Sequence, residues 1–226
     1  MKVILSACAA LGLAASARAT LYGDPLVERG NASDYPAYIH IATGVFVVPS
    51  AVLPAGTLNS FETWDQVDPG ASPFPSAGQT LTAYLLRPTG NANEFKAVFM
   101  SSPLTVPTVV SSQVATFPVS PFPTVAGDRI AFYGQGVPVD TGAGSLELYY
   151  PTAIAPALDQ TFILGSAGFP LYNQQRLYSF GADVTPVPEA TTMIAGALLL
   201  LPFGASTLRI LRRRTALAKA GEYQHR

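Results

Sequence analysis

Arg176-Leu177-Tyr178-Ser179-Phe180-Gly181-Ala182-Asp183-Val184 alternates along its length with a period of two. Tyr178, Phe180, Ala182 and Val184 fall on one face, with Ser179 and Asp183 on the other, the pattern of a half-buried β-strand. A helix would scatter that set, since its side chains return to one face about every 3.6 residues. Similar short runs of Val, Ile, Phe, Tyr and Thr predict further strands over Tyr38–Val48, Thr57–Trp64, Thr80–Arg87, Glu94–Met100, Val106–Phe117, Asp128–Tyr133, Ser145–Tyr150 and Thr161–Leu164. Nineteen of the twenty prolines lie between Thr20 and Ala190, and no dozen residues there keep an amphipathic helical period free of Pro or Gly. Short strands at this spacing predict an all-β fold, a single jelly-roll-like β-sandwich.

Three strand entries echo one another. Pro54-Ala55-Gly56, Ser76-Ala77-Gly78 and Val125-Ala126-Gly127 each precede a β-branched or aromatic run. The glycine in each is expected to supply the positive φ of a turn. Gly165 to Gln175 reads as a loop.

Of the 226 residues, 49% are hydrophobic and 12% charged, which allows one domain with a real core and excludes a disordered chain. The net charge of −1 hides an asymmetry. From Thr20 to Ala190, five basic residues (Arg29, Arg87, Lys96, Arg129, Arg176) face thirteen acidic ones, a net of −8. From Arg209 onward, six basic residues accompany only Glu222, a net of +5. A nucleic-acid binder would carry its positive charge on the folded face, so nucleic acid is excluded as a partner. The asymmetry suits a membrane protein with its folded part outside and its basic end in the cytoplasm.

At the amino-terminal end Lys2 precedes an apolar run, Val3 to Ala15, and then Ala17-Arg18-Ala19. A positive start, an apolar core and an A-x-A site predict a secretory signal peptide over residues 1–19, cleaved after Ala19. Leu5-Ser6-Ala7-Cys8 has the shape of a lipobox, but the apolar stretch before it is too short for a signal core. Cys8 is the only cysteine, so the mature chain is expected to hold no disulfide, Cys-ligated metal or thiol nucleophile.

At the other end Val187-Pro188-Glu189-Ala190 is followed by an apolar run, Thr191 to Leu208, and then by Arg209, Arg212, Arg213 and Arg214. As a helix that run would rise about 27 Å, enough for one transmembrane span over residues 191–208. The arginines act as a stop-transfer cluster and hold the cytoplasmic side. The arrangement resembles the PEP-CTERM sorting signal of Gram-negative bacteria, which combines a Pro-Glu-Pro motif, an apolar helix and an arginine-rich end. The resemblance implies recognition and processing by an exosortase, and association with extracellular polysaccharide and biofilm matrix. It covers residues 186–214 and implies nothing about the domain before them. Two departures stand out: Ala190 replaces the second proline, and twelve residues follow Arg214. A plain single-span anchor, without cleavage, predicts the same topology. A GPI signal would end on its apolar tail, and a sortase signal would need Leu-Pro-x-Thr-Gly. The domain expected is thus residues 20–185, joined by a short tether to the sorting signal and a basic cytoplasmic tail, 215–226.

Candidates for chemistry are few. His40 alternates with apolar neighbours in Tyr38-Ile39-His40-Ile41, a structural position, and the other histidine, His225, is in the tail. Zinc would need more His or Cys, and no Gly-x-Ser-x-Gly elbow accompanies a Ser-His-Asp set. Asp65 and Asp68 sit in a turn as bonding groups, with calcium the sharper alternative. Trp64, Tyr149, Tyr150, Tyr172 and Tyr178 read as core or cross-strand aromatics, with a sugar-stacking surface the alternative. The expectation is a non-enzymatic, exported and surface-sorted structural or adhesive matrix protein with no catalytic residues, no metal and no cofactor. A carbohydrate-binding module in the same matrix is the second reading. Partners expected are the membrane, an exosortase and extracellular polysaccharide.

Overall fold

The computed structural model describes residues 18–29, 44–67, 76–146, 148–165 and 175–187, and Arg18–Val187 form one compact unit. Every regular element among the described residues is a strand. In chain order they are β1 (Thr20–Gly23), β2 (Gly44–Val52), β3 (Gly56–Asp65), β4 (Thr80–Pro88), β5 (Glu94–Met100), β6 (Leu104–Thr105) and β7 (Gln113–Thr124). Then follow β8 (Arg129–Gly134), β9 (Val139–Leu146), β10 (Leu148–Pro151), β11 (Thr161–Ile163), β12 (Gln175–Tyr178) and β13 (Phe180–Pro186). All pairings are antiparallel. A smaller sheet has the order β1-β13-β3-β7. A larger one runs β10-β2-β8-β4-β5-β11, with β6 against the start of β4, and β9 pairs with β12 separately.

The two large sheets face each other across a shared aromatic core. Phe61 and Phe180 of the smaller sheet stack at 5.9 Å, and Phe132 of β8 reaches Phe180 at 5.3 Å. Phe99 of β5 bridges to Phe61 at 5.8 Å and to Phe122 of β7 at 5.2 Å. Val48, Leu58, Leu81, Leu85, Ile130 and Val184 fill the space between and are wholly or almost wholly buried. Each such side chain stabilises the fold by about 1.5–3 kcal/mol relative to exposure. Tyr178, Phe180, Ala182 and Val184 all face this core, as their alternation predicts.

The larger sheet is covered on its second face as well. Val45, Val47, Tyr84, Leu86, Ala97 and Ala131 pack there beside Phe95, Phe162 and Leu164, which come from the β5 and β11 end of the same sheet. The covering chain runs beyond β10: Tyr84 Oη donates to the Pro156 carbonyl at 3.0 Å and Tyr133 Oη to that of Ala153 at 2.9 Å. Two covered faces explain why Val45–Val48 and Leu81–Leu86 read as nearly unbroken apolar runs rather than alternating ones.

Several strand boundaries differ from expectation: the strand expected over Tyr38–Val48 is β2, which runs on to Val52, while Tyr38 to Thr43 lie outside the described residues. The segment expected as Val106–Phe117 instead follows the short β6, is a loop as far as Ser112 and only then enters β7, which continues through Pro118, Pro121 and Pro123. β7 lies at a sheet edge, where a proline's missing N–H can face away from the partner strand. A register shift between Leu58↔Phe122 and Ser60↔Pro118 absorbs the mismatch. The expected Arg176–Val184 strand breaks at Ser179, leaving β12 on β9 and β13 on β3. The expected Ser145–Tyr150 strand divides between β9 and β10, in different sheets. β1 has no counterpart among the predicted strands, because four residues (Thr-Leu-Tyr-Gly) carry no readable period.

Gly78 and Gly127 have the expected positive φ, 77° and 97°. Gly56 does not. It lies within β3, where a Cβ would stand 2.5 Å from the Thr185 carbonyl oxygen and 2.9 Å from the Pro186 Cα. Close strand approach, not turn geometry, requires glycine there. Just after Gly127, Asp128 is fully buried and accepts two bonds of 2.9 Å from Arg87 and one of 2.8 Å from the Val125 amide. It ties the turn between β7 and β8 to β4.

Candidate functional site on the smaller sheet

The smaller sheet has an outward face of mixed character, with Leu21 and Val114 exposed on it beside polar groups. Along β3, Phe61, Thr63 and Asp65 are buried toward the inside, while Glu62 and Trp64 are half-exposed. Glu62 lies opposite Thr116 of β7 and Gly181 of β13; Trp64 lies opposite Val114. A register shift at Asn59 and Ser60 brings both of them beside Asp183, with Asp183↔Ser60 as partners. Asn59 Nδ2 donates to Thr185 Oγ1 at 3.0 Å and to Asp183 Oδ2 at 3.5 Å. The outcome is a row of short hydrogen-bonding groups beside one indole ring.

Burial first, and the neighbouring Asp183 charge second, raise the Glu62 carboxyl above its ordinary range, while a hydrogen bond from Ser60 pulls the other way. No Lys or Arg occurs in β1, β3, β7 or β13. Three of the described cations are paired with acids elsewhere: Arg29 with Asp140, Arg87 with Asp128, and Lys96 with Asp159. The face is therefore acidic, able to accept hydrogen bonds and to stack a ring, and unable to counter an anion.

One end of the smaller sheet is closed by the segment after β1. Arg29 donates to Ser179 Oγ at 2.9 Å, to Asp140 Oδ2 at 3.2 Å and to the Pro25 carbonyl at 2.8 Å. The Gln66 amide clasps the Arg29 backbone in both directions, at 3.0 and 3.1 Å. Asp24 accepts from Ser50 Oγ at 2.5 Å and from the Tyr178 amide at 2.9 Å. Asp65 differs from these satisfied groups. Both its carboxylate oxygens are buried without a hydrogen-bond partner, as is Trp64 Nε1, and burial raises the Asp65 carboxyl above its ordinary value.

The structure separates the aromatics considered together as a sugar-stacking surface. Tyr149 and Tyr178 are core residues, each packed on Phe46, at 4.8 and 6.2 Å. Tyr150 stacks on Phe162 at 4.7 Å on the far side of the larger sheet. Trp64 alone of the described members stands on the smaller sheet's outward face, and Tyr172 lies outside the described residues. Asp68 and His40 also lie outside them, and among the described residues no group of three metal-ligating side chains occurs.

At the chain ends, Ala19 is exposed just before β1. Val187 is exposed just after β13, its amide donating to the Ala55 carbonyl at 2.9 Å. Cys8, Ala17, Pro188, Glu189, Ala190, Arg209, Arg212, Arg213, Arg214 and the expected span 191–208 lie outside the described residues. Among the described residues no helix is long and apolar enough to cross a membrane.

Glu62, Asn59 and Ser60 were not singled out by sequence. Glu62 shares a face with Trp64 by simple alternation, a signal that could have found it; its meeting with Asp183 depends on strand pairing. Asp24, Arg29, Gln66 and Ser179 carry no local motif. In comparisons with known proteins, no family model, no curated protein and no solved structure matches this chain.

Proposed function

We propose that this chain is an exported, surface-sorted structural or adhesive protein of the extracellular matrix, released or retained at the membrane by its carboxy-terminal sorting signal. The observation that carries the reading is the pair of opposed end segments. A basic start, an apolar run and Ala17-Arg18-Ala19 precede the domain; Val187-Pro188-Glu189-Ala190, an apolar run and Arg209 to Arg214 follow it. The resemblance of the second segment to the PEP-CTERM signal adds an exosortase as processing partner.

The domain's own geometry is compatible with this. Thr20 of β1 is the register partner of Val184 in β13, so the chain enters and leaves the smaller sheet at the same end. Two membrane-directed segments leaving one end need no long linker. The domain itself we read as a jelly-roll-like sandwich, because β2, β3, β4, β7 and β8 pass back and forth between the two sheets. The residue sets for nucleophilic or metal-assisted catalysis are sparse in the sequence, and the reading is non-enzymatic.

Intact mass of the protein isolated from its own cells tests the proposal. The expected product begins at Thr20 and ends near Glu189. A product ending at Arg226 points to the plain single-span anchor. A chain that keeps Met1, or carries a lipid on Cys8, defeats the export reading as stated.

A further inference from the structure

We infer that the outward face of the smaller sheet is a docking surface for a neutral polysaccharide, centred on Trp64, Glu62 and Asp183. This deepens the proposed matrix role and rests on it only for where the ligand is met. Sugar recognition asks for two things of a surface. A ring must cover the C–H face of a pyranose, and planar polar groups must bond its hydroxyls. The smaller sheet places both on one side of adjacent strands. Trp64 stands half-exposed two residues along β3 from Glu62. Across the strand pair, Asn59 is oriented by its bonds to Asp183 and Thr185.

Gly181 supports the assignment. It lies opposite Glu62, and a Cβ there would come within 2.8 Å of a Leu21 side-chain atom and 3.2 Å of the Tyr22 carbonyl oxygen. The position therefore carries no side chain, and the Leu21 side chain lies over the buried Gly181 there, giving the face an aliphatic group beside Asp183. Glu62 and Asp183 remain partly exposed on either side of it, where a ring's hydroxyls can reach them.

Charge selects the class of polysaccharide. The four strands carry no Lys or Arg, and Glu62 already feels repulsion from Asp183. A uronate or sulfated chain would add more negative charge with nothing to meet it, at a like-charge cost. A neutral chain supplies hydroxyl donors to the same oxygens.

The test is native affinity electrophoresis of the full chain in detergent micelles, through gels containing hydroxyethylcellulose, dextran or alginate. Retardation is expected in at least one of the two neutral gels and not in alginate. Trp64→Ala should weaken it at least tenfold, Trp64→Phe should keep most of it, and Glu62→Gln with Asp183→Asn should weaken it several-fold. Thermal unfolding of each variant guards against misfolding, and the isosteric carboxamide pair provides a second route if Trp64→Ala does not fold. Migration unchanged in both neutral gels overturns the inference. So does retardation that survives both sets of substitutions, or binding to alginate as strong as to the neutral chains. Intact mass from cells is indifferent to these outcomes, so failure here leaves the export reading standing.

Discussion

The larger and smaller sheets are built from similar strands but meet different surroundings. In the larger sheet, β2, β4 and β8 bury both faces, one on the shared core and one under the chain that follows β10. In the smaller sheet one face is core and the other bears Trp64, Glu62, Asn59 and Asp183 half in water. The first arrangement leaves few side chains of its central strands free for a ligand and concentrates stability. The second spends half its positions on groups that do little for the fold, and these positions can therefore carry recognition.

The sharpest way to break this contrast lies in the middle of the larger sheet. Phe132→Ala removes a fully buried ring that touches Phe46, Tyr178 and Phe180. It should cost about 3–5 kcal/mol in urea unfolding; a cost below about 1 kcal/mol would mean the shared core is not where stability resides.

Ser179→Ala tests the polar closure at the end of the smaller sheet. Its hydroxyl donates to the Val27 carbonyl at 2.5 Å and accepts from Arg29 Nε at 2.9 Å. Removing it should cost about 1–3 kcal/mol, because a buried guanidinium loses a partner. Equal stability of variant and parent would show that the Pro25–Arg29 segment contributes nothing to the domain.

Asp65→Asn should act in the opposite direction. The Asp65 carboxyl is raised above its ordinary value of 3.8 by burial. The folded chain therefore holds a proton that the unfolded chain releases, and stability falls as pH rises from that ordinary value through the folded one. Below both values the penalty vanishes. The carboxamide variant should unfold at higher urea than the parent at pH 7, with the gap narrowing at acid pH; an equal gap at both would contradict the assignment.

The smallest effect belongs to the exposed rim of the larger sheet. Lys96 and Asp159 pair at 2.7 Å with side chains 44% and 71% exposed. Lys96→Ala should change stability by no more than about 0.5 kcal/mol, measured in the same urea series. A larger loss would place energetics at this edge that the comparison between sheets assigns to the core.

Much of the fold was legible because alternation is local. The pattern predicts Glu94–Met100 to the residue, and Thr57–Trp64 and Thr80–Arg87 to within one residue at either end. The misses had physical causes. Pro118, Pro121 and Pro123 look like strand breakers until an edge position relieves them, and edge position depends on which strands become neighbours. The alternation runs on through Ser179, but the strand pairing changes there: its backbone carbonyl accepts from both the Trp64 amide and Thr63 Oγ1, residues more than a hundred positions away.

For the candidate site the division is similar. Trp64 was visible as the one tryptophan, and Glu62 shares its face by counting in twos. Which aromatics were surface and which were core was not visible, since Tyr149 and Tyr178 differ from Trp64 only in what the other sheet lays over them. Sequence alone determined the strand-rich character, the acidic middle against a basic end, and the apolar runs flanked by charge at both ends, because each rests on composition or spacing within a few neighbouring residues. Only the tertiary structure decided that one sheet is covered twice and the other once. It also decided that Asp183 meets Asn59 and Glu62, and that Thr20 lies opposite Val184. Those facts depend on pairing between distant strands, which side-chain periodicity does not encode.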